Sequence, residues 1–191
     1  TATAAALSAI EERFPGPVIG VIRPGAQSAI AAAGVDGRIG LIATDGTVSS
    51  GVYDRELADL GLRNELVKQG CPDFVTLVES GLKDKAAVQD AVKRYTEIFR
   101  NPPIDALILG CTHFPLLSEY LAQELPGVKL IDPAIQTADN LKQMLEERGL
   151  LADPASEAEY RFFCSGDAGS FKKNLLRVLG RDDYPVEHVA W

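Results

Sequence analysis

Ala106-Leu107-Ile108-Leu109-Gly110-Cys111-Thr112-His113-Phe114-Pro115-Leu116-Leu117 is the stretch whose reading decides the fold. Its aliphatic start reads as a strand, and the residues after Gly110 read as a strand-to-helix turn. Outward from it, short β-branched runs alternate with amphipathic stretches along nearly the whole chain. That alternation is the pattern of parallel strands joined by crossover helices, so the fold class is α/β. Strands are expected at residues 18–22, 38–44, 104–109, 128–131, 160–164 and 186–188. Helices fill most gaps. Thr3 is placed to cap the first, in which Leu7, Ile10 and Phe14 recur at helical spacing before Pro15-Gly16-Pro17 stops it. Residues 84–99 carry one apolar stripe of Ala87, Val88, Ala91, Val92, Tyr95 and Ile98, and residues 137–145 continue the pattern up to a stop at Gly149. Pro24 and Pro133 mark strand-to-helix corners.

The chain has 191 residues, 46% hydrophobic and 24% charged, which suffices for a real core in one or two domains. Nineteen Lys plus Arg against 27 Asp plus Glu leave a net charge of −8, a field that repels phosphate backbones and argues against nucleic acid as the ligand. No run approaches the ~18 apolar residues of a membrane span, and no basic-then-apolar leader is seen, so a soluble, cytoplasmic protein without membrane partners is expected. Three scattered cysteines show neither disulfide nor zinc spacing, so each is judged as a lone thiol. Met144 is the only methionine, and the chain opens on a helix-forming run, as though entered partway through.

In open parallel sheets ligands bind beyond the carboxyl ends of the strands. The turn at Cys111, Thr112 and His113 is the densest reactive cluster so placed. A helix N-terminus there would favour the thiolate, His113 could move its proton, and Gly110 would let the backbone approach a ligand closely. The bland alternative, a small buried hydrophobe at Cys111, stays open. Cys71 and Cys164 read as structural, and His188 as structural or exposed. A second corner, Thr44-Asp45-Gly46-Thr47-Val48-Ser49-Ser50, suits an anionic group on unpaired N–H donors, although capping alone also accounts for its hydroxyls. Glu79 ends an apolar run, as either a ligand contact or a solvated turn. GxGxxG, GxxxxGK[ST] and HExxH are all absent, which removes dinucleotide, P-loop and zincin readings.

The stretch Leu109-Gly110-Cys111-Thr112-His113-Phe114-Pro115-Leu116-Leu117 resembles the second catalytic motif of glutamate racemase, within the aspartate/glutamate racemase superfamily. Further blocks agree in order: Pro17-Val-Ile-Gly-Val-Ile-Arg-Pro-Gly-Ala26, Ile39-Gly-Leu-Ile-Ala-Thr-Asp-Gly-Thr47 on to Tyr53, Cys71-Pro-Asp-Phe-Val-Thr-Leu-Val-Glu79, and Leu130-Ile-Asp-Pro133. The resemblance implies two facing parallel-sheet α/β domains, each with one catalytic cysteine, and neither cofactor nor metal. It implies interconversion of L- and D-glutamate for peptidoglycan synthesis, cell-wall biogenesis and cell shape. Racemisation at Cα needs one group to take a proton from one face and another to return it on the opposite face. By resemblance Cys111 is one such base, His113 exchanges its proton, and Thr112 and His113 belong to the substrate site, with Thr44, Thr47 and Glu79 near the cleft.

The family's first cysteine lies in a Cys-Asn-Thr-Ala-Ser/Thr motif, and this chain begins at Thr1, the substrate-binding Thr of that motif. The first thiol is therefore expected to be missing and the first domain incomplete. Residues 18–132 are expected to form a complete domain carrying the second catalytic cysteine, with 1–17 and 133–191 as remnants of the other. With one thiol, the isolated chain is expected to be inactive and prone to associate. The expected partner is the small molecule glutamate, with a homodimer left open. Three alternatives remain: a non-catalytic small-acid binding module, a related aspartate or hydantoin racemase, and a cysteine hydrolase using Cys111 and His113.

Overall fold

The computed structural model describes residues 2–181 and 183–190. The chain divides into two compact units, Thr1–Gly149 and Leu150–Trp191. In the first unit the order is α1 (Ala2–Arg13), α2 (Ile22–Ala33), β1 (Ile39–Ala43), α3 (Asp45–Ser49), α4 (Val52–Asp59), β2 (Val67–Gly70), α5 (Pro72–Glu79), α6 (Lys85–Thr96), β3 (Ala106–Leu109), α7 (Ser118–Glu124), β4 (Lys129–Ile131) and α8 (Pro133–Glu147). In the second unit the elements are β5 (Phe162–Cys164), α9 (Ala168–Leu179) and β6 (Val186–His188), with β5 and β6 paired in parallel.

The four strands of the first unit form one parallel sheet in the order β2-β1-β3-β4, with Ile42 opposite Leu109 and Ala43 opposite Gly70. Every residue of β1 and β3 is buried, as expected where helices cover both faces. The period of two divides the core. Ile42, Leu107 and Leu109 pack with Phe74, Val92, Phe99, Phe114 and Leu117 on one face, while Ile39, Leu41, Ala106 and Ile108 pack with Ile22, Ala26, Ala29, Tyr53 and Leu57 on the other. The α/β class and its parallel sheet thus result from alternating aliphatic strands and amphipathic helices.

Three local expectations change. Residues 18–20 form no strand and Ile22 already opens α2. Both edges of β1 are taken by β2 and β3, and Pro24 suits the first turn of a helix, where its missing N–H costs nothing. Thr3 lies inside α1 rather than capping it. β2 has no counterpart among the expected strands, because a four-residue edge strand with Lys68 and Gln69 at its centre lacks an apolar run. Elsewhere Asp84 caps α6 by accepting a 3.0 Å bond from the Ala87 N–H, and Asp132 caps α8 by accepting one of 2.9 Å from Ala134.

Candidate active site

The site is built on the carboxyl ends of β1, β2 and β3. β1 ends with two carbonyls that serve its neighbours: Ile42 O accepts from Gly110 N–H at 2.8 Å, and Ala43 O accepts from Cys71 N–H at 2.9 Å. The chain leaving β3 is thereby pressed onto β1. A Cβ at Gly110 would lie 2.7 Å from Leu41 Cδ1 and 3.0 Å from Ile42 O, so the neighbouring strand by itself already requires a glycine here. From there the Cys111 turn closes through the Phe114 N–H, which donates to Cys111 O at 3.0 Å.

The expected helix N-terminus under Cys111 is not formed. Residues Phe114–Leu117 make a 3-10 turn and α7 starts only at Ser118. Pro115 lacks an N–H and the tight turn closes through Leu116 N–H to His113 O at 3.2 Å, so no aligned stack of α-helical N–H groups faces the thiol. An imidazole stands there instead. Cys111 Sγ lies 3.6 Å from His113 Nδ1, and His113 Nε2 lies 3.3 Å from Glu79 Oε1. A carboxylate oxygen only accepts, so the contact with Glu79 sets the hydrogen on Nε2, and in the neutral imidazole that leaves the Nδ1 lone pair toward the thiol. Thiol, imidazole and carboxylate therefore form one continuous line from the end of β3 to the last residue of α5.

The structure brings together most of the residues singled out in the sequence. Cys111 and His113 are half-buried, Thr112 between them is exposed, and Glu79 joins from α5. Thr44 and Thr47 meet through their hydroxyls at 3.1 Å beyond β1, with Thr47 buried and its N–H donating to Thr44 O at 2.9 Å. Thr1 lies outside the described residues. Cys164 and His188 are neighbours across β5 and β6 in the second unit. Cys71 is fully buried with its thiol directed at Gln69 O, 3.6 Å away, and burial together with the charges of Asp45 and Asp73 pushes it far up, against the opposing effect of Arg94.

Sequence reasoning placed Asp45 in the corner at residues 44–50 and gave its carboxylate no role beyond capping. It packs so tightly on Gly70 that a Cβ there would come within 2.0 Å of Asp45 Oδ1. The signal is Gly70 itself, which in the sequence indicates no more than a turn before Cys71. A groove of about 940 Å³ between α1, α2, α4 and α8 is lined by Leu7, Gly20, Arg23, Arg55 and Met144 among others. Among the described residues, none of those assigned to chemistry lines it. Among the described residues no cluster of His, Cys, Asp and Glu could hold a metal ion, and no helix is long and apolar enough to cross a membrane.

A parallel α/β sheet with a thiol–imidazole–carboxylate line at its carboxyl edge is a candidate acid–base site. The profile of the Asp/Glu/Hydantoin racemase family matches residues 1–141, and the chain belongs to that family. It is 39% identical over 197 aligned positions to the glutamate racemase of Desulforudis audaxviator, spanning 100% of this chain and 72% of that protein. Among solved structures, glutamate racemase isoform RacE1 from Bacillus anthracis superposes with a TM-score of 0.89 at 39% identity, covering 100% of this chain and 70% of that one. The glutamate racemase of Francisella tularensis, solved with D-glutamate, gives 0.88 at 30% identity over 100% of this chain and 70% of its own.

Proposed function

We propose that the protein is a glutamate racemase, interconverting L- and D-glutamate by proton transfer at Cα with Cys111 as one of two bases. The observation that carries this reading is the line Cys111 Sγ, His113 Nδ1, His113 Nε2, Glu79 Oε1, with contacts of 3.6 and 3.3 Å. His113 takes the thiol proton on Nδ1 while Glu79 stabilises the imidazolium, and the thiolate then removes the Cα proton of the enantiomer bound on its side. The hydroxyls of Thr44, Thr47 and Thr112 hold the substrate's carboxylates and ammonium, and Thr1 joins them by its place in the family motif. Return of a proton on the opposite face needs a second acid–base group. Cys71 is sealed in the core with its thiol on its own strand, so it does not fill that role. The partner base is the first cysteine of the family motif, and no cofactor or metal enters the reaction.

Residues 18–132 act as the domain that carries Cys111, with 1–17 and 133–191 belonging to the other domain. D-Glutamate produced in this way supplies peptidoglycan synthesis and hence cell-wall biogenesis and cell shape, which places the protein in the cytoplasm, with a homodimer as its assembly. Support for glutamate over aspartate comes from relatives of 39% identity named as glutamate racemases and from the D-glutamate held by the Francisella enzyme.

Iodoacetamide labelling mapped by peptide mass spectrometry tests the reading. Cys111 should react near neutral pH and be protected by glutamate, while Cys71 stays unlabelled. A Cys111 that labels no faster than Cys71, or that glutamate at saturating concentration leaves unprotected, would point to the small-acid binding module or to a packing role.

A further inference from the structure

We propose that Phe114 is a positioning residue for the Cys111–His113 pair, acting through an edge-on contact with Phe74 that also carries Glu79 into place. The proposal rests on the reading of Cys111 and His113 as a proton-transfer pair. The turn from Gly110 to Phe114 is tied to the rest of the fold at its two ends. At one end Gly110 is pinned to β1. At the other the Phe114 ring is fully buried and meets Phe74 edge to face, with centroids 5.2 Å apart at 85°. His113 is the residue immediately before that anchor, so any swing of the Phe114 backbone moves the imidazole with it.

Phe74 couples this anchor to the carboxylate. It sits in the first turn of α5, whose last residue is Glu79. On its other side Phe74 packs edge to face on Tyr95 of α6, at 5.1 Å and 85°. The Tyr95 hydroxyl donates to Asp73 Oδ2 at 2.8 Å, and Arg94 donates to the same oxygen at 2.5 Å, tying the start of α5 to α6. The two aromatic contacts thus set α5 and the Cys111 turn against one another. His113 bridges them only while both its contacts, 3.6 Å to the thiol and 3.3 Å to Glu79, are held together. A ring with only a general packing role would be exchangeable with another of equal burial. Phe99, equally buried in the same cluster, supplies that comparison, because it takes no part in the aromatic contacts of α5 or in the turn.

The test compares Phe114→Leu, Phe114→Met and Phe99→Leu in the full chain. Two readouts are used: the mapped rate of Cys111 alkylation by iodoacetamide and the imidazole nitrogen NMR signals. Assignment is direct because the chain has two histidines, His113 and His188. Displacement of the imidazole by about 1 Å in the Phe114 variants should slow Cys111 alkylation roughly tenfold or more. The His113 nitrogen signals should also move from a fixed Nε2–H form toward tautomer averaging. Phe99→Leu should lower the unfolding midpoint comparably and leave both readouts at wild-type values. Unchanged alkylation and signals in a folded Phe114 variant overturn the proposal, as does an equal change in Phe99→Leu. Failure of wild-type Cys111 to outpace Cys164 overturns the underlying pair itself, and it is recognisable because it needs no variant.

Discussion

Cys71 and Cys111 occupy equivalent places in the topology, one beyond β2 and the other beyond β3, on either side of β1. Each has a backbone N–H at its corner bonded to one of the last carbonyls of β1, and each precedes a proline in the first turn of a helical segment. Their surroundings are opposite. Cys71 is enclosed by the aromatic and aliphatic residues of the sheet face, meets only its own strand's carbonyl, and is held protonated by burial and two neighbouring carboxylates. Cys111 is partly open and faces an imidazole that is itself backed by a carboxylate. The difference arises because α5 begins directly after Cys71, folding Phe74 over that corner, whereas the chain after Cys111 first makes an open turn that presents His113. Topology sets where a thiol can stand, and the first few residues of the following element decide what faces it.

Removing the ring that seals one corner and steadies the other should blur the contrast most. Phe74→Ala should cost about 3–5 kcal/mol of stability, in the range for buried Phe truncations, read from denaturant unfolding. In the same variant Cys71 should become slowly alkylatable and Cys111 less reactive, so the two thiols converge. A narrower change, His113→Asn, should slow Cys111 alkylation near neutral pH by about a hundredfold, the low end of acid–base contributions, while Cys71 stays silent. Retained reactivity would mean that the Cys111 corner is activated by something other than its imidazole.

The smallest effect sharpens the Cys71 side alone. The Cys71 thiol lies above its ordinary value of 9.0 and the Tyr53 phenol above its ordinary 10.0, in both cases because burial disfavours the charged form. Above those values the unfolded chain releases protons that the folded chain keeps. Stability is therefore fully present below about pH 9 and falls as pH rises beyond it, by at most about 1.4 kcal/mol per pH unit for each group. Unfolding midpoints measured from pH 7 to 11 should show this decline, and Cys71→Val should delay its onset to the range of Tyr53. A flat profile would mean that the Cys71 corner is wetter than its geometry.

Much of the fold is legible in the sequence where local pattern and tertiary demand agree. The aliphatic runs of β1 and β3, the stripe on α6 and the caps at Asp84 and Asp132 all satisfy local propensity and burial at once. Residues 18–22 mislead because β-branched residues suit a strand, yet residues 18–20 join no strand and Ile22 opens α2, and β2 escapes notice because an edge strand needs no apolar run. The Cys111-Thr112-His113 cluster is visible as a motif, and so is the acid at Glu79, but nothing in the sequence links them across 34 residues.

The class of the fold, the course of its central strands and the candidate groups for chemistry were therefore determined by the sequence itself, because side-chain periodicity and turn chemistry are local properties. Which of two similarly placed thiols is sealed and which faces an imidazole, and that Gly110 serves β1 and Phe114 meets Phe74, were decided only by the tertiary structure. Those relations depend on which helix face lands on which strand end, and packing between residues distant in the chain fixes that choice.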